Sequence, residues 1–192
     1  LWLTCEDMSE RLGCYGDDTV PTPNIDRIAE QGVRYDNAYG TYGVCAPNRH
    51  TLIMGMYPSS TGAMAMRNWK RTSALHLITD PELLALPTYE AVPPPEAKCF
   101  TEYLRAAGYY CSNNSKTDYQ MQTPITAWDD TTKDAHWRNR PEPDQPFFAV
   151  FNQTITHESK TFKKSSPSVV DPAKIKLPAY YPDTPAVREA LA

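Results

Sequence analysis

Apolar residues fall in short runs, separated by polar and proline-rich stretches. Leu1 to Cys5 is a continuous apolar run, the pattern of a buried parallel strand. Asn24 to Gln31 has helical spacing, with Ile25, Ile28 and Ala29 on one face, Pro23 before it and Gly32 after it. Val33 to Ala38 predicts a second strand. From Cys45 the spacing is helical through Met56, with Leu52 and Met56 on one side. Pro47 suits a first helical turn and Tyr57-Pro58 stops the helix, so Cys45 is expected at a helix N-terminus. Lys98 to Ala107 is a further helix, with Phe100, Tyr103, Leu104 and Ala107 as its face and Gly108 as C-cap. Tyr109 to Ser112 and Phe147 to Phe151 read as strands, and Val187 to Ala192 as the start of a helix. The alternation predicts an α/β sandwich with a largely parallel sheet. Residues 64–95 and 119–146 are long excursions from it.

Composition narrows the class. The chain has 192 residues, 41% hydrophobic and 22% charged, with net charge -4. That suits one globular core and argues against disorder. The longest basic stretch, Lys160 to Lys164, is too short for a nucleic-acid surface, and no run of about 18 apolar residues exists to span a membrane. The 18 prolines cluster at 93–95, 141–146 and 167–185, which favours rigid loops. Five cysteines leave at least one thiol without a partner inside the chain, and no CxxC pair is present. The chain opens on a strand and closes on a helix start, as a piece of a larger enzyme would.

Several residues carry candidate chemistry, each with two readings. Glu6-Asp7 follows the first strand and is either a solvated turn or a hard-metal site of carboxylate oxygens. Cys45 is either a buried structural thiol or a nucleophile at a helix N-terminus. His50 is near it in sequence, but helical spacing turns it away. Arg49 shares the face of Cys45 and either holds an anion there or sits at the surface. Lys116 and His157 each follow a strand and are either solvated or placed to protonate a leaving oxygen. Asn68, Trp69, Trp128 and Trp137 lie in the excursions and either stack on a sugar or simply pack.

Cys45-Ala46-Pro47-Asn48-Arg49 matches Cys-x-Pro-x-Arg, the sulfatase signature. The opening LWLTCEDMSERLGCYGD resembles that family's first strand and metal-binding turn. TPNIDRIAEQGVRYDNAYGTYGVCAPNRHTLIMGMYPSSTG resembles its block around the nucleophile. GYYCSNNSKTD falls where members carry Gly-Tyr-x-Thr-x-x-x-Gly-Lys-Trp-His, and PFFAVFNQTITHES resembles the strand leading to a catalytic histidine. The likeness covers nearly the whole chain and is strongest up to Gly62.

The resemblance implies an alkaline phosphatase-like α/β/α fold, incomplete in this chain, with residues 1–192 as the N-terminal part of the catalytic domain. It implies hydrolysis of sulfate from a sulfated small molecule or glycan. Cys45 would be oxidised to formylglycine by a separate maturation enzyme. Glu6 and Asp7, with the modified Cys45, would hold a divalent metal, commonly Ca2+ with Mg2+ as an option. Arg49 would steady the formylglycine hydrate, Lys116 would contact the sulfate, and His157 would act on the sulfate or as leaving-group acid. The family also implies a periplasmic or extracellular enzyme. Asn113-Asn114-Ser115 and Asn152-Gln153-Thr154 fit the glycosylation sequon.

Three departures stand out. Glu6 occupies a position where many members have Asp. Asp118 stands in place of the histidine of Lys-Trp-His, so this acid, or His136 reaching in, would take over that role. Ser115 and Thr117 replace the glycine and tryptophan of the same motif. No segment matches the remaining metal ligands or a second sulfate-pocket lysine, so these residues alone are expected to be inactive. Other readings of the same motif are a phosphatase or phosphonate monoester hydrolase, a non-catalytic sulfatase-derived binding protein, and a hydrolase using the Cys45 thiolate directly.

Overall fold

The computed structural model describes residues 1–66, 73–161, 168 and 170–192. In chain order the elements are β1 (Trp2–Cys5), α1 (Pro23–Gln31), α2 (Cys45–Met54), α3 (Pro58–Thr61), α4 (Pro81–Ala85), α5 (Phe100–Ala106), β2 (Tyr110–Asn114), β3 (Phe147–Gln153) and α6 (Pro185–Leu191). Two compact units result: Leu1–Leu3 with Tyr39–Asn152, and Thr4–Ala38 with Gln153–Ala192.

The first unit is built on a three-stranded sheet of order β1-β3-β2. β2 and β3 pair in parallel, from Tyr110 opposite Phe147 to Asn114 opposite Phe151. The connection between them contains a 3-10 turn at Trp137–Asn139 and no α-helix. Pro124, Pro141, Pro143 and Pro146 each remove a backbone donor along it, which disfavours a helix there. The outer edge of β2 is bonded instead by this connection, through Asp129 N–H to the Cys111 carbonyl (2.8 Å) and Asn113 N–H to the Asp130 carbonyl (2.9 Å).

β1 was expected to be buried, yet Trp2 and Leu3 are 42% and 63% exposed. As the outer strand of the sheet it has a neighbour on one side only. Its Trp2 ring still packs at 5.1 Å from Phe148 and 5.6 Å from Phe100.

Ile53 and Met54 of α2, Cys99, Cys111, Trp128 and Val150 form the centre of the core. Leu52, expected inside, is half-exposed. The helix ends at Met54 because Gly55 takes the left-handed conformation (φ 65°), so Met56 is out of helical register. In α5, Phe100 and Leu104 face the core as expected, whereas Tyr103 points out. The helix begins with an unusual capping box in which Cys99 stands as N-cap and the Glu102 carboxylate accepts the Cys99 N–H (2.8 Å).

The second unit holds α1 and a 3-10 turn at Gly13–Tyr15. One Asp26 oxygen accepts from Cys14 N–H (2.8 Å) and the Thr22 hydroxyl (3.0 Å). Gly13 allows that approach, since a Cβ there would lie 2.5 Å from the other Asp26 oxygen. Residues 33–38 form no strand: Val33 and Tyr35 are exposed, and Arg34 pairs locally with Asp36 (3.0 Å). Apolar alternation without a ladder partner leaves such a segment as a loop. At the other end, Thr184 caps α6 through Val187 N–H (3.3 Å).

Candidate active site

Cys45 is the first residue of α2, as its surroundings predict, with its sulfur 3.9 Å from Met66 Sδ. The segment before it is tied to the helix. The Asn48 side chain accepts the Thr41 N–H (3.1 Å), and the Thr41 hydroxyl bonds Thr51 (2.7 Å).

Arg49 lies one turn along α2. Its guanidinium is committed to the loop after β2: Nε donates to the Thr117 carbonyl (2.8 Å), Nη2 to the Lys116 carbonyl, and Nη1 to the Asn152 side-chain oxygen (3.0 Å). It also lies over the Tyr119 ring, 5.7 Å from the centroid. Three of its five N–H groups therefore anchor protein.

His50, the next residue, is fully buried. Its Nδ1 faces the Tyr119 carbonyl (2.9 Å) and its Nε2 the Thr61 hydroxyl (2.7 Å). A carbonyl only accepts, so Nδ1 carries the proton and Nε2 accepts from Thr61. Burial lowers the His50 pKa, which keeps the ring neutral. As the sequence spacing implied, His50 is turned away from base chemistry at Cys45.

Consecutive α2 side chains thus grip three carbonyls of one loop. That loop contains Ser115, Asp118 and Gln120 at φ 58°, 54° and 54°. Positive φ costs a non-glycine residue about 1 kcal/mol or more, so the loop depends on this outside hold. Within it the Lys116 ammonium pairs with the Asp118 carboxylate at 3.7 Å, both side chains being mostly buried.

Glu6, Asp7 and His157 belong to the second unit. Glu6 Oε2 is 3.6 Å from His157 Nε2, and its side chain is 9% exposed. Asp7, at φ 51°, accepts the Glu158 N–H on Oδ2 (2.9 Å). His157 Nδ1 accepts the Ser159 N–H (3.1 Å), which leaves Nε2 to carry the proton of a neutral ring. The paired carboxylates are oxygen donors of the kind a hard divalent cation takes. Among the described residues, however, no group of three or more His, Cys, Asp or Glu could hold a metal ion. The donor chemistry fits such a cation; the number of donors falls below the six to eight that calcium takes.

Other expectations resolve into packing. Trp128 is buried and stacked on Phe148 (6.2 Å). Trp137 stacks on Phe147 (5.8 Å) and carries Arg138 over its ring (5.3 Å). Asn68 and Trp69 lie outside the described residues. His136 packs against Trp137 and accepts the Arg138 N–H (3.0 Å), so its ring is committed locally. Asn113 has no exposed surface and Asn152 is 9% exposed; both are hydrogen-bonded in the folded chain and closed to glycosylation there. Their structural part was missed in the sequence. The available signal was asparagine inside apolar strands, where it is disfavoured.

The sulfatase family model matches residues 1–184. The chain is 52% identical over 163 residues to an ulvan-active sulfatase of Formosa agariphila, an alignment covering 85% of this chain and 26% of that protein. It is 34% identical over 82 residues to iduronate 2-sulfatase of Homo sapiens, covering 43% of this chain and 15% of the relative. The solved structure of a 2-O GAG sulfatase superposes with TM-score 0.58 at 19% identity, over 94% of this chain and 40% of that one. Another, solved in complex with its substrate D-glucosamine-2-N,6-O-disulfate, gives TM-score 0.57 at 18% identity over 81% of this chain and 34% of that one. At these identities the structural likeness speaks to the fold, which is α/β of the alkaline phosphatase-like kind. The chain spans about a quarter of the length of the ulvan-active relative.

Proposed function

The chain belongs to the sulfatase family, and from that premise we propose that the protein hydrolyses sulfate esters of a sulfated polysaccharide, with ulvan the first substrate to try. The observation that carries the reading is Cys45 opening α2 with Arg49 one turn on, gripping the Lys116 loop. We read residues 1–192 as the N-terminal part of the catalytic domain.

In this reading a maturation enzyme converts Cys45 to formylglycine, whose hydrate supplies the nucleophilic hydroxyl. Glu6 and Asp7 would contribute carboxylate oxygens to Ca2+ or Mg2+, which would supply Lewis acidity. The remaining work falls to the chain's own side chains. Arg49 holds the Lys116 loop in register with the helix that presents position 45. The Lys116 ammonium offsets negative charge on the sulfuryl oxygens. Asp118 fixes that ammonium through the 3.7 Å ion pair, a task different from that of the histidine it replaces. His157, once doubly protonated, is the candidate acid for the departing substrate oxygen, because a neutral imidazole that gave up its proton would be left as imidazolate.

Among the described residues no helix is long and apolar enough to cross a membrane. A polysaccharide substrate is too large to diffuse into the cytoplasm, which supports a periplasmic or extracellular site of action.

The test uses full-length protein made with its maturation system. The tryptic peptide holding Cys45 should weigh about 18 Da less than the thiol form, as replacing CH2-SH by CHO requires. The same preparation should release sulfate from ulvan and leave phosphate esters largely intact. Active enzyme with an unmodified thiol would overturn the nucleophile. Turnover of phosphate esters with none of sulfate esters would overturn the substrate class.

A further inference from the structure

Asn113, in β2, and Asn152, in β3, lie within segments that resemble sulfatase motifs but have been given no role there, and they close a ring of hydrogen bonds around the Lys116 carbonyl. Arg49 Nη1 donates to Asn152 Oδ1 (3.0 Å). Asn152 Nδ2 donates to Asn113 Oδ1 (2.9 Å). Asn113 Nδ2 donates to the Lys116 carbonyl (2.9 Å), which Arg49 Nη2 also reaches. The direction of every link is forced. Arginine can only donate, so Asn152 must present its oxygen to it, and its amide N–H then faces Asn113. Asn113 in turn presents oxygen to Asn152 and N–H to the carbonyl, which can only accept.

Two features separate this ring from ordinary filling of a polar core. Asn152 Nδ2 also reaches the Asn114 carbonyl (3.1 Å) and, at 3.4 Å, the Lys116 carbonyl. Both amides are thus directed at the start of the positive-φ loop rather than at water or their own strands. The ring also joins three elements, α2, β2 and β3, at the residue whose ammonium is held by Asp118.

We propose that Asn113 and Asn152 are positioning residues for Lys116, an amide pair that transmits the placement of Arg49 to the lysine's backbone. The proposal rests on Lys116 serving the sulfate, as read above. Neither amide touches the substrate. A loop slackened by about 1 Å is enough to cost a catalytic group on the order of 100-fold.

Asn113→Asp and Asn152→Asp each preserve shape and one acceptor while removing the donated link. The second places its charge beside Arg49, which gives it a cationic partner that the first lacks. Each is made in full-length, formylglycine-bearing enzyme, alone and with Lys116→Ala, and assayed on an aryl sulfate. Each single variant is expected to lose about 10- to 100-fold in kcat/KM. In the Lys116→Ala background the same changes should cost less than about 3-fold, because the group they position is gone. Equal losses in both backgrounds, or none in either, would overturn the proposal. A second measurement separates this from the sulfatase reading. Amide exchange at residues 116–118 should quicken in Asn152→Asp while the core strands stay protected. Wild-type enzyme inert on every sulfate ester removes the sulfatase reading, and unchanged exchange in both variants still removes the positioning role.

Discussion

Replacing His50 by phenylalanine tests how strongly α2 holds the Lys116 loop. The swap keeps an aromatic ring of similar size in a fully buried site and deletes both polar contacts. The Tyr119 carbonyl loses its imidazole donor in the interior, which costs about 1–3 kcal/mol. Thr61 loses less, about 1 kcal/mol, because its hydroxyl can turn to the Pro58 carbonyl at 3.4 Å. The total is about 2–4 kcal/mol, read as a shift of the urea midpoint at unchanged m-value. The pH dependence is a second arm. Burial lowers the His50 pKa in the folded state below the ordinary value of about 6.5 in the unfolded chain. Between those values the unfolded chain binds a proton that the folded chain does not. Stability therefore climbs as pH rises through that window, levels off above about 6.5, and falls in acid. His50→Phe should lack this contribution, so its deficit relative to wild type should shrink as pH falls. A loss under about 1 kcal/mol, with an unchanged pH slope, would mean that the imidazole is only filling space and that the loop is held by Arg49 alone.

Other outcomes follow from the same geometry. Burial pushes the Cys99 and Cys111 thiols up to about 12, so iodoacetamide at pH 8 should label Cys5 readily and leave these two untouched until the protein unfolds. Asp129→Asn should cost about 1–2 kcal/mol in urea unfolding, since one carboxylate serves both Arg105 (2.7 Å) and the Cys111 N–H (2.7 Å) of β2. Gly13→Ala should lower the melting temperature, because the new Cβ meets Asp26 at 2.5 Å and displaces the carboxylate that caps the Cys14 N–H. Chelation of divalent metal should abolish sulfate-ester hydrolysis by the full-length enzyme and restore it on adding Ca2+, checked by sulfate release.

Where local chemistry determined the outcome, the chain was readable. Pro47 near the start and Tyr57-Pro58 beyond the end bracket α2, and Cys45 opens it as expected, although Gly55 ends it two residues before Met56. The three strands lie where apolar runs placed them, with β2 starting one residue later and ending two later than expected, and β3 ending two later. Partners set from afar were not readable. Arg49 meets residues 67, 68 and 103 positions away, and no spacing rule anticipates such contacts. Residues 33–38 had the composition of a strand but no ladder to join. Leu52 faces outward although it lies within α2, which ends at Met54, two residues before the expected Met56. Trp128 and Trp137 were ambiguous because an aromatic ring serves a core and a sugar platform equally well; neighbouring rings decided it.

The strand order β1-β3-β2 has a consequence for biosynthesis. β2 meets its neighbour β3 within the same stretch of chain, but β1, at residues 2–5, must wait for a partner that begins at residue 147. At translation rates of about 5–20 residues per second, that wait is about 7–30 s. Throughout it Leu1, Trp2 and Leu3 have no sheet to join, and Glu6-Asp7 has no strand end to hang from. The carboxylates proposed to bind metal are made well before the strand that places them. A nascent chain in that state exposes apolar side chains and an unpaired strand, the surfaces through which incomplete chains aggregate, and slower synthesis at lower temperature lengthens the exposure even as cold weakens the hydrophobic drive to misassemble.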